Sequence, residues 1–173
     1  MKSIDRFTTK EIIDILNKCW MSHDGMWFNN CLQEFGIEIA NKLNKASIKN
    51  LSGIEIKRIL NALEIEKGSI NNFEQFKQFF IEVSGLFIPD FMNVTWTFPG
   101  NNIVHWEFKK ENCFAYYGIK KLGAIENYEC GVIFRLECWL NDLGIKYDVN
   151  PKIKKCLMLN QGKCSGDIYL RFK

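Results

Sequence analysis

Val94-Thr95-Trp96-Thr97-Phe98, then Pro99-Gly100-Asn101-Asn102, then Ile103-Val104-His105-Trp106-Glu107-Phe108, is where the chain turns from helix to sheet. Two alternating runs rich in strand formers flank four turn residues, which is the signature of a β-hairpin.

Upstream, apolar residues recur three and four apart, the period of an amphipathic helix. Thr8 or Thr9 caps a first helix with Ile12, Ile13, Ile15, Leu16, Cys19 and Trp20 on its stripe. Ser22-His23-Asp24-Gly25 is expected to break it near Met21, with Asp24 capping a second helix that carries Trp27, Phe28, Cys31, Leu32, Phe35, Ile39, Ala40 and Leu43. Gly36 inside that helix costs about 1 kcal/mol against alanine, and close packing would explain it. Ser52-Gly53 is expected to open a third helix and Asn72 a fourth, with Phe73, Phe76, Phe79, Phe80 and Val83 as its buried side.

Downstream, residues 112–122 and 127–142 read as two helices split by Gly123, with Gly144 suited to the end of the second. Ile153 to Leu159, a turn at Asn160-Gln161-Gly162-Lys163, and Cys164 to Phe172 read as a closing hairpin. On its last strand Ile168, Leu170 and Phe172 share one side, and Asp167, Tyr169 and Arg171 the other. The expected fold is α+β: N-terminal helices followed by an antiparallel sheet of four or five strands (two hairpins) with two intervening helices. Residues 1–173 are expected to form a single domain, helical over 1–92 and hairpin-helix-helix-hairpin over 93–173.

Composition narrows the function classes. The 173 residues are 47% apolar and 25% charged, a globular balance. Residues 1–92 hold 11 basic and 12 acidic side chains, a net of −1; residues 93–173 hold 12 and 8, a net of +4. That charge is too scattered for a nucleic-acid footprint. No apolar run approaches the ~20 residues of a membrane span, and Met1-Lys2-Ser3-Ile4-Asp5-Arg6 does not begin a signal peptide. A cytoplasmic protein with reduced thiols is expected. The phosphate loop, dinucleotide fingerprint, Gly-x-Ser-x-Gly and His-Glu-x-x-His motifs are absent.

Two constellations can carry chemistry. Trp20, His23, Asp24 and Trp27 fall within eight residues. They form either a ligand pocket, with His23 as proton carrier, or a helix junction in which Asp24 caps and the tryptophans fill the core. The second is the cysteine group. Five of seven cysteines (Cys113, Cys130, Cys138, Cys156, Cys164) lie in the last third, and none forms a Cys-x-x-Cys pair. Converging Cys113, Cys130, Cys156 and Cys164 would hold zinc or an iron–sulfur cluster. A reactive Cys113 at a helix start, with His105 as base, is a second reading. Separate buried thiols are the third, with His105 then a partly exposed strand residue.

Three stretches together resemble a known kind of protein: Trp20…His23-Asp24-Gly25-Met26-Trp27-Phe28 with Phe35-Gly36-Ile37-Glu38-Ile39-Ala40-Asn41; Asn112-Cys113-Phe114-Ala115-Tyr116 with Tyr128-Glu129-Cys130; and Trp139-Leu140…Leu143-Gly144 with Cys156…Gly162-Lys163-Cys164. They resemble a family of small prokaryotic cytosolic proteins similar to the aminothiazoline-carboxylate hydrolase-like proteins. The closing cysteine segment is similar to the end of vinyl-reductase-type small-molecule-binding domains. The resemblance implies a ligand-binding α/β fold with cysteines and aromatic rings near a cavity. The expected function is small-molecule binding of a sensor or carrier type. The alternatives are a hydrolase using a cysteine nucleophile or thiolate-bound metal, and a structural protein without a ligand. The aromatic-rich surface would also allow a homodimer.

Overall fold

The computed structural model describes residues 3–172, so Met1, Lys2 and Lys173 lie outside the described residues. The chain begins with a long helix, α1 (Thr9–Ala62), opened by a capping box: Glu11 N donates to Thr8 Oγ1 at 3.2 Å, and Thr8 N donates to Glu11 Oε2 at 2.8 Å. The expected breaks at Ser22–Gly25 and Ser52-Gly53 do not occur. Through the first, the helix continues although residues 22–27 are all exposed. Ser, His and Asp cost only about a few tenths of a kcal/mol in a helix interior and glycine about 1 kcal/mol, too little to stop a helix already propagating on both sides. Ser52 bonds back to the Lys49 carbonyl at 2.9 Å and across to Asp142, so its hydroxyl is used inside the helix rather than as a cap. The break falls instead at Gly36, whose φ of 78° and ψ of 172° interrupt the helix. A Cβ there would meet nothing within 4 Å, so backbone conformation rather than close packing is the reason for glycine.

α2 (Phe73–Phe87) follows, capped by Asn72 and burying Phe76, Phe79, Phe80 and Val83, as its spacing implies, while Phe73 of the expected set is only half-buried at its start. Strands β1 (Val94–Gly100) and β2 (Ile103–Phe108) form the expected hairpin, with Asn101 and Asn102 both at positive φ in its tight turn. Helices α3 (Phe114–Lys121) and α4 (Gly131–Asp142) come next, with a 3-10 turn at Ile125–Asn127 between them.

The closing segment differs from expectation. β3 is Lys146–Asn150, residues 157–161 form a short helix α5 (Leu157–Gln161), and β4 is Cys164–Arg171. The strand signal of Tyr147 and Val149 is two residues long and sits behind Gly144, while Leu157-Met158-Leu159 carries helix formers ended by Gly162 at φ 69°.

The sheet is four-stranded and antiparallel, in the order β1-β2-β4-β3. Trp106, Phe108, Ile168 and Leu170 face the helices; Asp167, Tyr169 and Arg171 face outward. The fold is therefore α+β: α1 packs along α4, Phe73 and Phe80 of α2 pack on Trp96 and Phe98 of β1, and one buried cluster draws on helices and sheet. No helix among the described residues is long and apolar enough to cross a membrane.

Candidate thiol site

Three of the cysteines occupy the same kind of position. Cys113, Cys130 and Cys156 each immediately precede a helix (α3, α4 and α5), with φ/ψ of −67°/120°, −59°/115° and −64°/117°. Cys164 opens β4 and pairs with Phe108 at the end of β2. These four residues, drawn from four elements, line one hollow on the inner side of the sheet. Its volume is about 10 Å³, close to the least that holds one water-sized species. Phe108, Tyr116 and Tyr128 supply its rings, and Val132, Ile133 and Leu157 much of the remaining wall. Cys113, Cys156 and Cys164 are buried and Cys130 is half-buried. Cys19, Cys31 and Cys138 lie away from the hollow.

Burial sets the electrostatics. It pushes the Cys113 and Cys164 thiols up to about 12, and raises Cys130 as well. The neighbouring sulfurs add to the rise, because each thiolate disfavours the next. Opposing donors are in place. The Cys113 sulfur faces the N–H groups of Tyr116 and Ala115, and the Cys130 sulfur those of Ile133 and Val132, in both cases without closing a capping hydrogen bond. Trp106 Nε1 leans toward Cys164 but has no partner of hydrogen-bonding geometry, although Trp106 is 0% exposed. Among the described residues no group of three or more His, Cys, Asp or Glu side chains stands ready to ligate a metal ion. The four sulfurs share the hollow without closing on a common point.

The other predicted constellation is elsewhere. Trp20, His23, Asp24 and Trp27 sit within α1, and Asp24 caps nothing. His23, Asp24 and Trp27 are exposed, and none of the four lines the thiol hollow. Trp20 instead covers the Arg135 guanidinium at 4.3 Å, within a group that sequence reading did not assemble. Arg135 pairs with buried Glu55, whose Oε2 also accepts from Trp139 Nε1 at 2.9 Å. The available signal was one charged residue on each of two apolar stripes, Glu55 beside Ile56 and Ile59, and Arg135 beside Trp139. His105 is separated from Cys113 by the sheet. Its Nδ1 meets Asp167 Oδ1 at 2.7 Å on the outer face, so it is not placed as a base for that thiol.

A more open cleft of about 370 Å³ lies beside the Gly36 break, lined by Leu32, Gln33, Ile37, Gly123, Glu126 and Asn127 among others. A model of a protein family described as a family of unknown function (DUF6125) matches residues 2–83, which span α1 and most of α2 and stop short of the thiol hollow. No curated protein and no solved structure matches the chain. Neither the aminothiazoline-carboxylate hydrolase-like proteins nor the vinyl-reductase-type domains are among these findings. Over its helical part, the chain is similar to the DUF6125 family.

Proposed function

We propose that the protein binds a small thiophilic ligand at the hollow between Cys113, Cys130, Cys156 and Cys164, as a sensor or carrier in a reducing compartment. One observation carries this reading: four sulfurs spread over 52 positions of sequence, from 113 to 164, line a single enclosed space. Apolar cores are filled by close packing, and four thiols drawn to one small gap are an unusual way to fill one. The size of the gap supports a ligand of one or a few atoms.

A cysteine nucleophile is the weaker reading. The thiol of Cys113 is held protonated at neutral pH by its burial, and His105 faces the other side of the sheet. A small organic ligand is favoured by a different observation, the cleft beside Gly36, whose volume falls within the usual range of small-molecule sites.

Native mass spectrometry of protein purified without chelator tests the proposal. The expected result is an adduct that survives buffer exchange and disappears in the Cys130→Ser/Cys156→Ser double variant. A folded wild-type chain at its bare mass, with no uptake of any soft metal ion on titration, overturns it.

A further inference from the structure

We propose that the ligand of the hollow is a single Zn²⁺ ion held by the sulfurs of Cys113, Cys130, Cys156 and Cys164 in a closed four-coordinate centre. This inference rests on the thiol-site reading above and names its occupant.

Three features select zinc. First, the donor set is four thiols with no carboxylate or imidazole in the wall, the Met158 thioether there being taken up by Glu111 N, which suits a borderline-soft ion and leaves no open position for water. Second, the space admits one ion. An iron–sulfur cluster wants the same four ligands but brings several iron and sulfide atoms, more than a gap of about 10 Å³ holds. Third, the surrounding donors are arranged for thiolates. Trp106 Nε1 is fully buried and unpaired, and it leans toward Cys164. A buried N–H without a partner costs about 1–3 kcal/mol, and a neutral thiol is a poor acceptor. A zinc-bound thiolate would complete that bond and those from the backbone N–H groups before α3 and α4, the outer-shell pattern that fixes metal ligands.

Binding is an exchange of protons for metal. Four S–H bonds break, four Zn–S bonds of about 2.3 Å form, and four protons leave to solvent; no electron is transferred. The centre then carries two negative charges, offset by the N–H donors and by Lys45 near Cys130. The sulfurs as they stand do not close on one point, so the thiol side chains turn inward as the ion enters. One ion would tie the starts of α3, α4 and α5 to β4, which accounts for a cysteine just before each of the three helices and at the first position of the strand.

The test is metal analysis of the whole chain, followed by titration of the chelator-treated protein with Co²⁺ and competition with Zn²⁺. The expected results are one zinc per chain and a Co²⁺ spectrum with sulfur-to-metal charge transfer and tetrahedral ligand-field bands. Cys156→Ser should weaken binding by at least about 100-fold, Trp106→Phe by about tenfold, and Cys138→Ser or Cys19→Ser not at all. Because a ligand variant can fail to fold, the wild type is also alkylated with and without Zn²⁺, and protection should map to the four hollow cysteines. An iron–sulfur chromophore, or adduct formation with soft ions other than zinc, overturns zinc and leaves the thiol site standing. Four cysteines that alkylate independently, with no effect of any metal, overturn both.

Discussion

Gly166 on β4 lies directly opposite Trp106 on β2, and the indole lies over the space a side chain on Gly166 would need. A Cβ on Gly166 would stand 2.6 Å from Trp106 Cζ2 and 2.6 Å from the Asn150 carbonyl oxygen. Neither neighbour can yield, since the indole is fully buried and the oxygen belongs to the backbone. Gly166→Ala is therefore expected to cost about 3 kcal/mol through overpacking. Urea denaturation reads this directly, and an unchanged midpoint would show that the indole has room to move.

Glu55 and Arg135 tie α1 to α4 through a buried ion pair, with Trp139 donating to the same carboxylate. Removing one partner strands the other. Glu55→Ala should lose about 3 kcal/mol, because the guanidinium is left unpaired between Trp20, Phe87 and Trp139. Adding Arg135→Met should recover part of that loss, since no buried charge then remains. A double variant no more stable than Glu55→Ala would contradict the ion-pair account.

The same pair shows where sequence reading stopped. The hairpin at Val94–Phe108, the phenylalanine stripe of α2 and the outward set Asp167, Tyr169 and Arg171 were legible because each follows a local period. The gathering of Cys113, Cys130, Cys156 and Cys164 was legible only as a bet, since no short spacing links them. The closing hairpin expected from Ile153 to Phe172 did not form: Cys156 and Cys164 reach the hollow from the start of α5 and the start of β4. The Ser22–Gly25 junction failed because residues of modest helix propensity do not stop a helix that is already propagating: residues 22–27 are exposed and still helical. Contacts such as Glu55 with Arg135, 80 positions apart, leave no periodic trace.

Asp24 gives a pH-dependent test. Partial desolvation raises its carboxyl above the ordinary value of 3.8 although the side chain stays 61% exposed, and this outweighs the lowering by Arg135 and His23. With a folded-state value above the unfolded one, its stabilising contribution is present below pH 3.8. It is lost as pH rises through the folded value, so ionised Asp24 burdens the native state at neutrality. Asp24→Asn should therefore have a higher urea midpoint than wild type at pH 7, and the difference should vanish near pH 3. A lower midpoint at pH 7 would mean that attraction to Arg135 dominates.

Gly36 separates two grips on one segment. Before it, the Phe28 ring packs edge-on against Tyr128 with centroids 5.8 Å apart. After it, buried Asn41 donates to the Asn127 carbonyl at 2.8 Å and accepts from Glu129 N at 3.1 Å. In an unbroken helix residues 28 and 41 would be about 20 Å apart along the axis, too far to hold three consecutive residues from both sides. The break at φ 78° and ψ 172° brings them together, in a backbone region nearly exclusive to glycine. Alanine at position 36 must either hold that strained conformation or straighten α1 and release one grip. Gly36→Ala is thus expected to lower stability by about 1–3 kcal/mol in urea denaturation. This is opposite in sign to the gain of about 1 kcal/mol that alanine brings to an ordinary helix interior. A stabilised Gly36→Ala protein would mean that α1 is continuous in solution. The segment carrying Tyr128 and Cys130 toward the hollow would then have to be held by other contacts.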